Sequence, residues 1–520
     1  MAGLDNTLHE GMEIELKLLL LSPLNPEEFW QHPAVAKGLK GAPVTKKLLS
    51  TYYDTTDHRL LQNGITYRIR KDGNHWISTV KSMGGVSAGL HSRDEWNDEL
   101  PAAHPRPDLI TDESVRHRVL SLLEDHKLQP ILATRFQRMQ ADWDSGVGHQ
   151  IEIALDMGEI VTSARDLPIR EIELELKKGT ASSLVSLGTS IAVHFPTILG
   201  HESKFFRGLQ ALQMEGQIDS MPIMPGKEHT KTSDEKTLLS IQTPLVLNEA
   251  YDQLVDAYLQ LHRDPDNPER VHQIRVQVRR FRSLLAFFKP ALVPRLYQRM
   301  QHWLQTLGQE TAEVRELDVM QEHYALFSET YMETRKPEET DPLWVLLVNK
   351  RQQARDKLMN KIRSGALTPI VLQIGCLVRQ EVVMSAEKDP FFRVFCEKRM
   401  KKWMNQLHKL VNEVEPEKIE QVHRLRIRGK RIRYVLEHMG PVIPRLSEKF
   451  LKRMKQVQDL LGQMNDIQCE LDRMKAWMDE QDSNPLAMRW LGRYTGWQQQ
   501  RLINRQSVMT KKMKKVIKEK

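Results

Sequence analysis

Glu13-Ile14-Glu15-Leu16-Lys17 carries a charge at every second residue. On a β-strand successive side chains point to opposite faces, so the three charges share one face while Ile14 and Leu16 share the other. The alternation returns at Tyr67-Arg68-Ile69-Arg70, at Thr79 and Lys81, and at His91, Arg93 and Glu95. It returns again at Glu152-Ile153-Ala154-Leu155-Asp156 and at Glu171-Ile172-Glu173-Leu174-Glu175-Leu176-Lys177. Polar-out alternation by itself marks a solvated sheet face. Here the polar faces are almost wholly ionic, with carboxylates gathered on some strands and Arg or Lys on others. Strands closed into a cylinder with these faces inward would line one lumen with both signs of charge. Enclosed charge is costly unless it is paired or binds something.

Working outward, period-two alternation predicts strands over 12–20, 65–71, 76–81, 89–99, 134–144, 149–156 and 170–177. Helical patterns fall at 26–37, 114–125, 181–194 and 203–214. Residues 215–235 lack periodicity and read as a linker. From about residue 238 the 3.6-residue period takes over, with helices expected over 247–262, 271–288, 343–363, 391–414, 419–439 and 448–478. The expected class is α+β: an N-terminal antiparallel β domain over 10–214, a linker over 215–237 and an all-α helical bundle over 238–515.

Charge divides along the same line. Of 76 Lys and Arg and 68 Asp and Glu, residues 231–520 hold 52 basic and 37 acidic side chains, leaving the remainder net acidic. An acidic half can concentrate metal ions, and a basic half can hold a polyanion. Cys376, Cys396 and Cys469 are too scattered for a disulfide framework or a zinc site. No apolar run approaches the roughly 18–20 residues that cross a bilayer. The first dozen residues lack the basic-then-apolar pattern of a secretory signal. A bacterial cytoplasmic protein is expected.

A lumen of carboxylates and cations suits a phosphate chain bridged to Mg²⁺ or Mn²⁺. Carboxylate oxygens suit these hard ions, and guanidinium groups fork onto phosphate oxygens. Six ordered motifs carry a family resemblance across residues 10–214: Glu13-x-Glu15-x-Lys17, Tyr52-Tyr53-Asp54-Thr55, Tyr67-Arg68-Ile69-Arg70, Ile151–Asp156, Glu171–Lys177 and Ser203-Lys204-x-x-Arg207-Gly208. The segment resembles the CYTH, or triphosphate tunnel metalloenzyme, superfamily. The resemblance implies an eight-stranded antiparallel tunnel that hydrolyses triphosphate with Mg²⁺ or Mn²⁺. By motif, Glu13, Glu15, Glu173 and Glu175 would form the metal set, with Asp156 and Glu152 nearby. Lys17, Arg68, Arg70, Lys81 and Arg138 would clamp triphosphate. Arg135 lies on the face opposite Arg138, and the sequence does not say which of the two is internal. Lys204, at the start of a helix that plugs one mouth in that family, would orient the attacking water or neutralise charge. Tyr53 and Tyr67 read as packing residues.

The helical half repeats itself. VHQIRVQVRRFR (271–282) parallels VHRLRIRGKRIR (422–433), and each is followed by a Leu-Gly pattern, at Gly308 and at Gly462. His272, Arg275, Arg279 and Arg282, like His423, Arg426, Lys430 and Arg433, fall at i, i+3, i+7 and i+10. Those positions span about 80° of a helix, so each repeat presents one basic stripe. Like charges one turn apart repel, and a cost carried twice points to a bound anion. The pattern resembles the CHAD domain, a conserved-histidine helical domain associated with polyphosphate. In that reading Asp318 and Asp466 pair with the arginines. A metal role for the two histidines lacks ligands at suitable spacing. Polyphosphate suits the stripes better than duplex DNA, since there is no recognition-helix motif and no aromatic interleaving. Nucleic acid stays an alternative partner through counterion release.

The leading expectation is therefore an inorganic triphosphatase that converts triphosphate to phosphate and pyrophosphate, with a polyphosphate-binding helical domain and an association with polyphosphate granules. The alternatives are a catalytically idle polyphosphate scaffold, or thiamine triphosphatase, adenylate cyclase or RNA 5′-triphosphatase activity.

Overall fold

The computed structural model describes residues 12–82, 86–87, 90–215, 236–331, 341–379, 389–415, 418–440, 448–480 and 485–517. Most of the expected linker, 216–235, lies outside them. The chain divides into two compact units. The first takes Met1–Lys231 together with Arg363–Gln380. The second takes Thr232–Ile362 and Glu381–Lys520.

Ten strands form the sheet of the first unit: β1 (Met12–Leu20), β2 (Val44–Asp54), β3 (Ile65–Asp72), β4 (His75–Ser82), β5 (Val86–Ser87), β6 (Leu90–Leu100), β7 (Gln129–Asp144), β8 (Gln150–Val161), β9 (Leu167–Lys178) and β10 (Thr197–Leu199). Pairing runs β10-β1-β9-β8-β7-β2-β3-β4-β6-β5, and β1 also pairs with β6. That second pairing, Met12↔Asp94 through Leu16↔Leu90, brings eight antiparallel strands back to their starting point. One edge of β1 is shared: Met12–Leu16 pair with β6, and Leu18–Leu20 pair with β10.

Seven strands follow the expected alternation. The strand β2 was not expected, because VTKKLLSTYYD sets Lys46 beside Lys47 and Leu48 beside Leu49 and so breaks the period of two. What holds its end is Asp54. This buried carboxylate accepts the backbone N–H groups of Thr55 (2.8 Å), Leu60 (2.9 Å) and Leu61 (2.9 Å). The Tyr52–Thr55 motif is thus partly a turn device.

The helix Lys204–Met214 starts at Ser203, whose Oγ accepts the N–H of Phe206 at 3.2 Å, as an N-cap should. Its apolar face places Phe205, Leu209 and Leu212 in one cluster with Leu48, Tyr52, Leu132, Phe136, Ile160 and Ile169 of the strands. This closes one end of the ring with hydrocarbon. At about 25 cal/mol per Å² of apolar surface, side chains of this size each stabilise by about 1.5–3 kcal/mol. The helix Glu113–Leu123 packs outside, its Val115, Val119 and Leu123 sharing a second cluster with Ile65, Tyr67, Ile69 and Val80. Tyr67 is buried there, as a packing residue would be.

Among the described residues the second unit contains only helices and one isolated bridge. Helices at Pro294–Glu310, Ala312–Tyr331 and Pro485–Ile517 add to those expected. The two repeat helices, Pro268–Phe288 and Ile419–Met439, pack against each other.

Candidate functional site

Inside the ring is a cavity of about 470 Å³. Its charged lining comes from Glu15 and Lys17 on β1, Arg68 and Arg70 on β3, and Lys81 on β4. It continues with Glu95 on β6, Arg138 on β7, Glu173 and Glu175 on β9, and Lys204 on the plugging helix. Residues from six strands and one helix reach one space because alternation gives every strand an inward set.

The deep end is an ion-pair box. Lys17 Nζ lies 2.9 Å from Glu173, 3.6 Å from Glu15 and 3.9 Å from Glu171. Lys204 Nζ donates to Asp156 at 2.8 Å and to Glu173 at 2.9 Å, and meets Glu171 as well. Arg138 forks onto Asp156 with both contacts at 2.7 Å and also meets Glu173. Arg207 reaches Glu171 at 3.1 Å from the plugging helix. Burial alone would push Lys17 and Lys204 down, but the carboxylates around them hold both above the usual lysine range. Burial would raise Glu173, yet Lys17, Lys204 and Arg138 hold it well below the usual carboxylate range. Both lysines therefore stay protonated at neutral pH, and neither can serve as a base.

The opposite wall differs. Lys81 pairs with Glu95, and Arg68 donates to Thr79 at 3.0 Å with Glu95 at 3.7 Å. Arg70 donates to Ser50 at 3.2 Å, and no carboxylate is paired with it among the described residues. Burial, with Arg68 and Arg138 nearby, lowers Arg70 to about 10, still protonated at neutral pH. A guanidinium pressed toward other cations favours an incoming anion.

A row of carboxylates crosses four neighbouring strands. Asp142 pairs in register with Glu152, Glu152 with Glu175, and Glu175 with Glu15. Burial raises the Glu175 carboxyl; Lys177 opposes the shift, and the like charges of Glu152 and Glu15 add to it. Like charges gathered on neighbouring strands fit a hard divalent cation, which relieves the repulsion. Asp156, Glu171 and Glu173 also offer oxygens within 4.8 Å of one another. Those oxygens, however, already face Lys17, Lys204, Arg138 and Arg207.

Most expected residues meet at this site. Arg135 does not: it is exposed on the outer face of β7, donating to Glu159 at 2.9 Å. Because Thr134, Phe136 and Arg138 share the inward parity, Arg135 must point out. Glu152 does not line the cavity but sits beside it, accepting from Gln140 at 3.2 Å. The Glu13 side chain lies outside the described residues, although its backbone pairs with Arg93. Tyr52, Glu95 and Asn97 also line the cavity and Glu171 supports it, although the sequence motifs assign none of them a role. Inward parity on β6 and β9 was the available signal for all but Tyr52, which lay within a quoted motif.

In the second unit the stripes converge in part. Burial lowers Arg275, Arg426 and Lys430; Arg279 adds to the shift on its own helix and on the facing repeat helix, and Asp466 opposes all three. Burial followed by Arg426 and Arg279 lowers Lys430 to about 7. Arg275 donates to the Gly308 carbonyl at 2.8 Å. Arg282 turns aside to Gln301 at 3.1 Å, and Arg433 lies 3.5 Å from Glu437. Burial and the Arg315 charge depress His272, and exposed His423 lines a separate cavity of about 630 Å³ with Arg426. The expected pairing of Asp318 with the stripe is not seen; Asp318 accepts from Arg351 at 2.6 Å.

Family models fit both halves: one described as a CYTH domain matches residues 11–208, and one described as a CHAD domain matches residues 245–475. Residues 11–208 thus form a CYTH domain and residues 245–475 a CHAD domain. A curated relative from Haemophilus influenzae, an inorganic triphosphatase, is 33% identical over 204 residues, covering 38% of this chain. The chain spans about half of that relative's length, 54%. Among solved structures, the CHAD domain of the plant Ricinus communis is 22% identical, covers 54% of this chain and 93% of its own, and has a TM-score of 0.42. A Hippeastrum protein described as a putative adenylyl cyclase with a dominant triphosphatase activity is 18% identical. It covers 40% of this chain and 97% of its own, with a TM-score of 0.28. Neither score reaches 0.5.

Proposed function

We propose that the first unit hydrolyses inorganic triphosphate to phosphate and pyrophosphate, and that the second holds polyphosphate. The observation that carries this reading is Arg70, a guanidinium inside the ring with Arg68 and Arg138 nearby and no carboxylate partner among the described residues. The likeness to the Haemophilus influenzae inorganic triphosphatase supports it.

Arg68, Arg70, Lys81 and Arg138 bind the phosphate oxygens and fix the chain in the cavity. Guanidinium forks and ammonium point charges suit phosphoryl groups, whose transfer needs mainly positioning and charge neutralisation. Lys17 and Lys204, kept protonated by their carboxylates, sit where negative charge grows as the P–O bond to the leaving group breaks. Glu15 and Glu175, in register with Glu152, would hold Mg²⁺ or Mn²⁺, while Glu173 stays committed to Lys17, Lys204 and Arg138; such an ion neutralises phosphate charge and makes a bound water more acidic.

Phosphate release from inorganic triphosphate with Mg²⁺ or Mn²⁺, compared between the native chain and Arg70→Gln, tests the reading. Turnover that falls about 100-fold in the variant supports it. A native chain that releases no phosphate with either ion, while binding polyphosphate in both units, would establish the idle scaffold instead. Competition by 5′-triphosphorylated RNA, thiamine triphosphate or ATP ranks the remaining substrates.

A further inference from the structure

Residues 363–380 belong to the first unit, although the sequence on both sides of them belongs to the second. Their helix, Thr368–Val378, is TPIVLQIGCLV, an uncharged segment with eight of eleven residues buried. It packs on the helix Ala181–His194, where Ser182 Oγ donates to the Cys376 carbonyl at 3.5 Å. So apolar a segment could be only core filling. Its leading end does something more specific.

Gly365 holds φ +71°, and a Cβ there would come within 2.7 Å of both the nitrogen and the oxygen of Thr197. Only glycine permits that approach. One turn on, Thr368 Oγ1 donates to the carbonyl of the same Thr197 at 2.5 Å. Thr197 begins β10, which pairs with Leu18–Leu20 of β1. Immediately after β10, the N–H of Gly200 donates to the Lys17 carbonyl at 2.8 Å, and a Cβ on Gly200 would lie 2.6 Å from Lys17 Cγ. Ser203 then caps the helix that begins with Lys204. A continuous set of contacts thus runs from Gly365 and Thr368 through Thr197 and Gly200 to Lys17 and Lys204. Neither Gly365 nor Thr368 lines the cavity.

We propose that the segment 363–380 is a positioning element of the cavity: Gly365 and Thr368 clamp Thr197, and the clamp sets where Lys17 and Lys204 stand in the ion-pair box. The kinetic part of this claim rests on the proposed triphosphatase reading. Its structural part does not.

The test uses the full chain carrying Thr368→Val, which keeps shape and removes the hydroxyl, and Thr368→Ser, which restores it. Displaced catalytic groups lower kcat more than they weaken binding, and a shift of about 1 Å can cost up to about 100-fold. Thr368→Val should therefore lower kcat for triphosphate about tenfold with KM nearly unchanged, while Thr368→Ser behaves as the native chain. Gly365→Ala should act in the same direction, with the urea unfolding midpoint of the first unit as the folding control. A fall in Tm with native kcat would show a merely structural helix and overturn the proposal. If the native chain hydrolyses nothing, the functional reading falls, and amide hydrogen exchange decides the rest. Exchange of the Gly200 amide should quicken about tenfold in Thr368→Val, and an unchanged rate overturns the clamp.

Discussion

Arg138 and Asp156 face each other across β7 and β8 with two contacts of 2.7 Å, and the Asp156 side chain has no exposure to solvent. Removing one partner of a buried pair leaves an uncompensated charge, which costs about 3–5 kcal/mol. After Arg138→Ala, Asp156 keeps Lys204 at 2.8 Å, so the urea stability of the first unit should fall by less than that, about 1–3 kcal/mol, while triphosphate turnover is abolished. Arg138→Lys keeps the charge but loses the fork, and should fall between.

Arg135, three residues earlier, makes the opposite case. Its pair with Glu159 is exposed, and such pairs contribute about 0–1 kcal/mol. Arg135→Gln should leave both urea stability and turnover at native levels. A large loss of turnover would mean that the parity assigned to β7 is wrong.

Asp54 serves three backbone N–H groups from a buried position. Asp54→Ala orphans them, at about 1–3 kcal/mol for a buried unsatisfied group. Calorimetry should show a lowered Tm in the first unit, with polyphosphate binding by the second unaffected.

Reversing charge at Arg275, Arg279, Arg426 and Lys430 should abolish polyphosphate binding measured by titration calorimetry, and leave triphosphate turnover largely intact. Equal loss of both would contradict two separate sites.

Lys430 also predicts a pH dependence. Its folded value is about 7 against 10.5 for a free lysine, from burial and then from Arg426 and Arg279, with Arg433 adding and Asp466 opposing. Between those values the unfolded chain carries a proton that the folded chain lacks, so stability without ligand rises with pH across that window. A bound polyanion needs the charged form. Affinity for polyphosphate should therefore fall as pH rises from 6 to 8, by about fivefold if binding raises the ammonium by about one unit. Lys430→Arg should flatten that part of the profile, while any contribution from His272 remains.

The ring was legible where charge alternated strictly. Glu13 to Lys17 and Glu171 to Lys177 announced both the strands and their shared inward face. At β2 the doublets Lys46-Lys47 and Leu48-Leu49 hid the period. Arg135 and Arg138 could be placed on opposite faces from spacing alone, but only the inward Phe136 said which face was which. Glu171 was visible as an alternating carboxylate, yet its task of holding Lys17, Lys204 and Arg207 depends on partners from two other parts of the chain. The segment 363–380 was the least readable. An uncharged helix set between amphipathic ones looks like more core of the same bundle, and nothing local says which core it fills.

The hydrocarbon stopper built from Phe205, Leu209 and Leu212 has a consequence for polymers. A bore sealed at one end cannot be threaded, so a long phosphate chain could offer it only a terminus, never an internal stretch. Under the proposed chemistry, trimming would proceed from chain ends, and circular metaphosphates, which have no ends, should resist it.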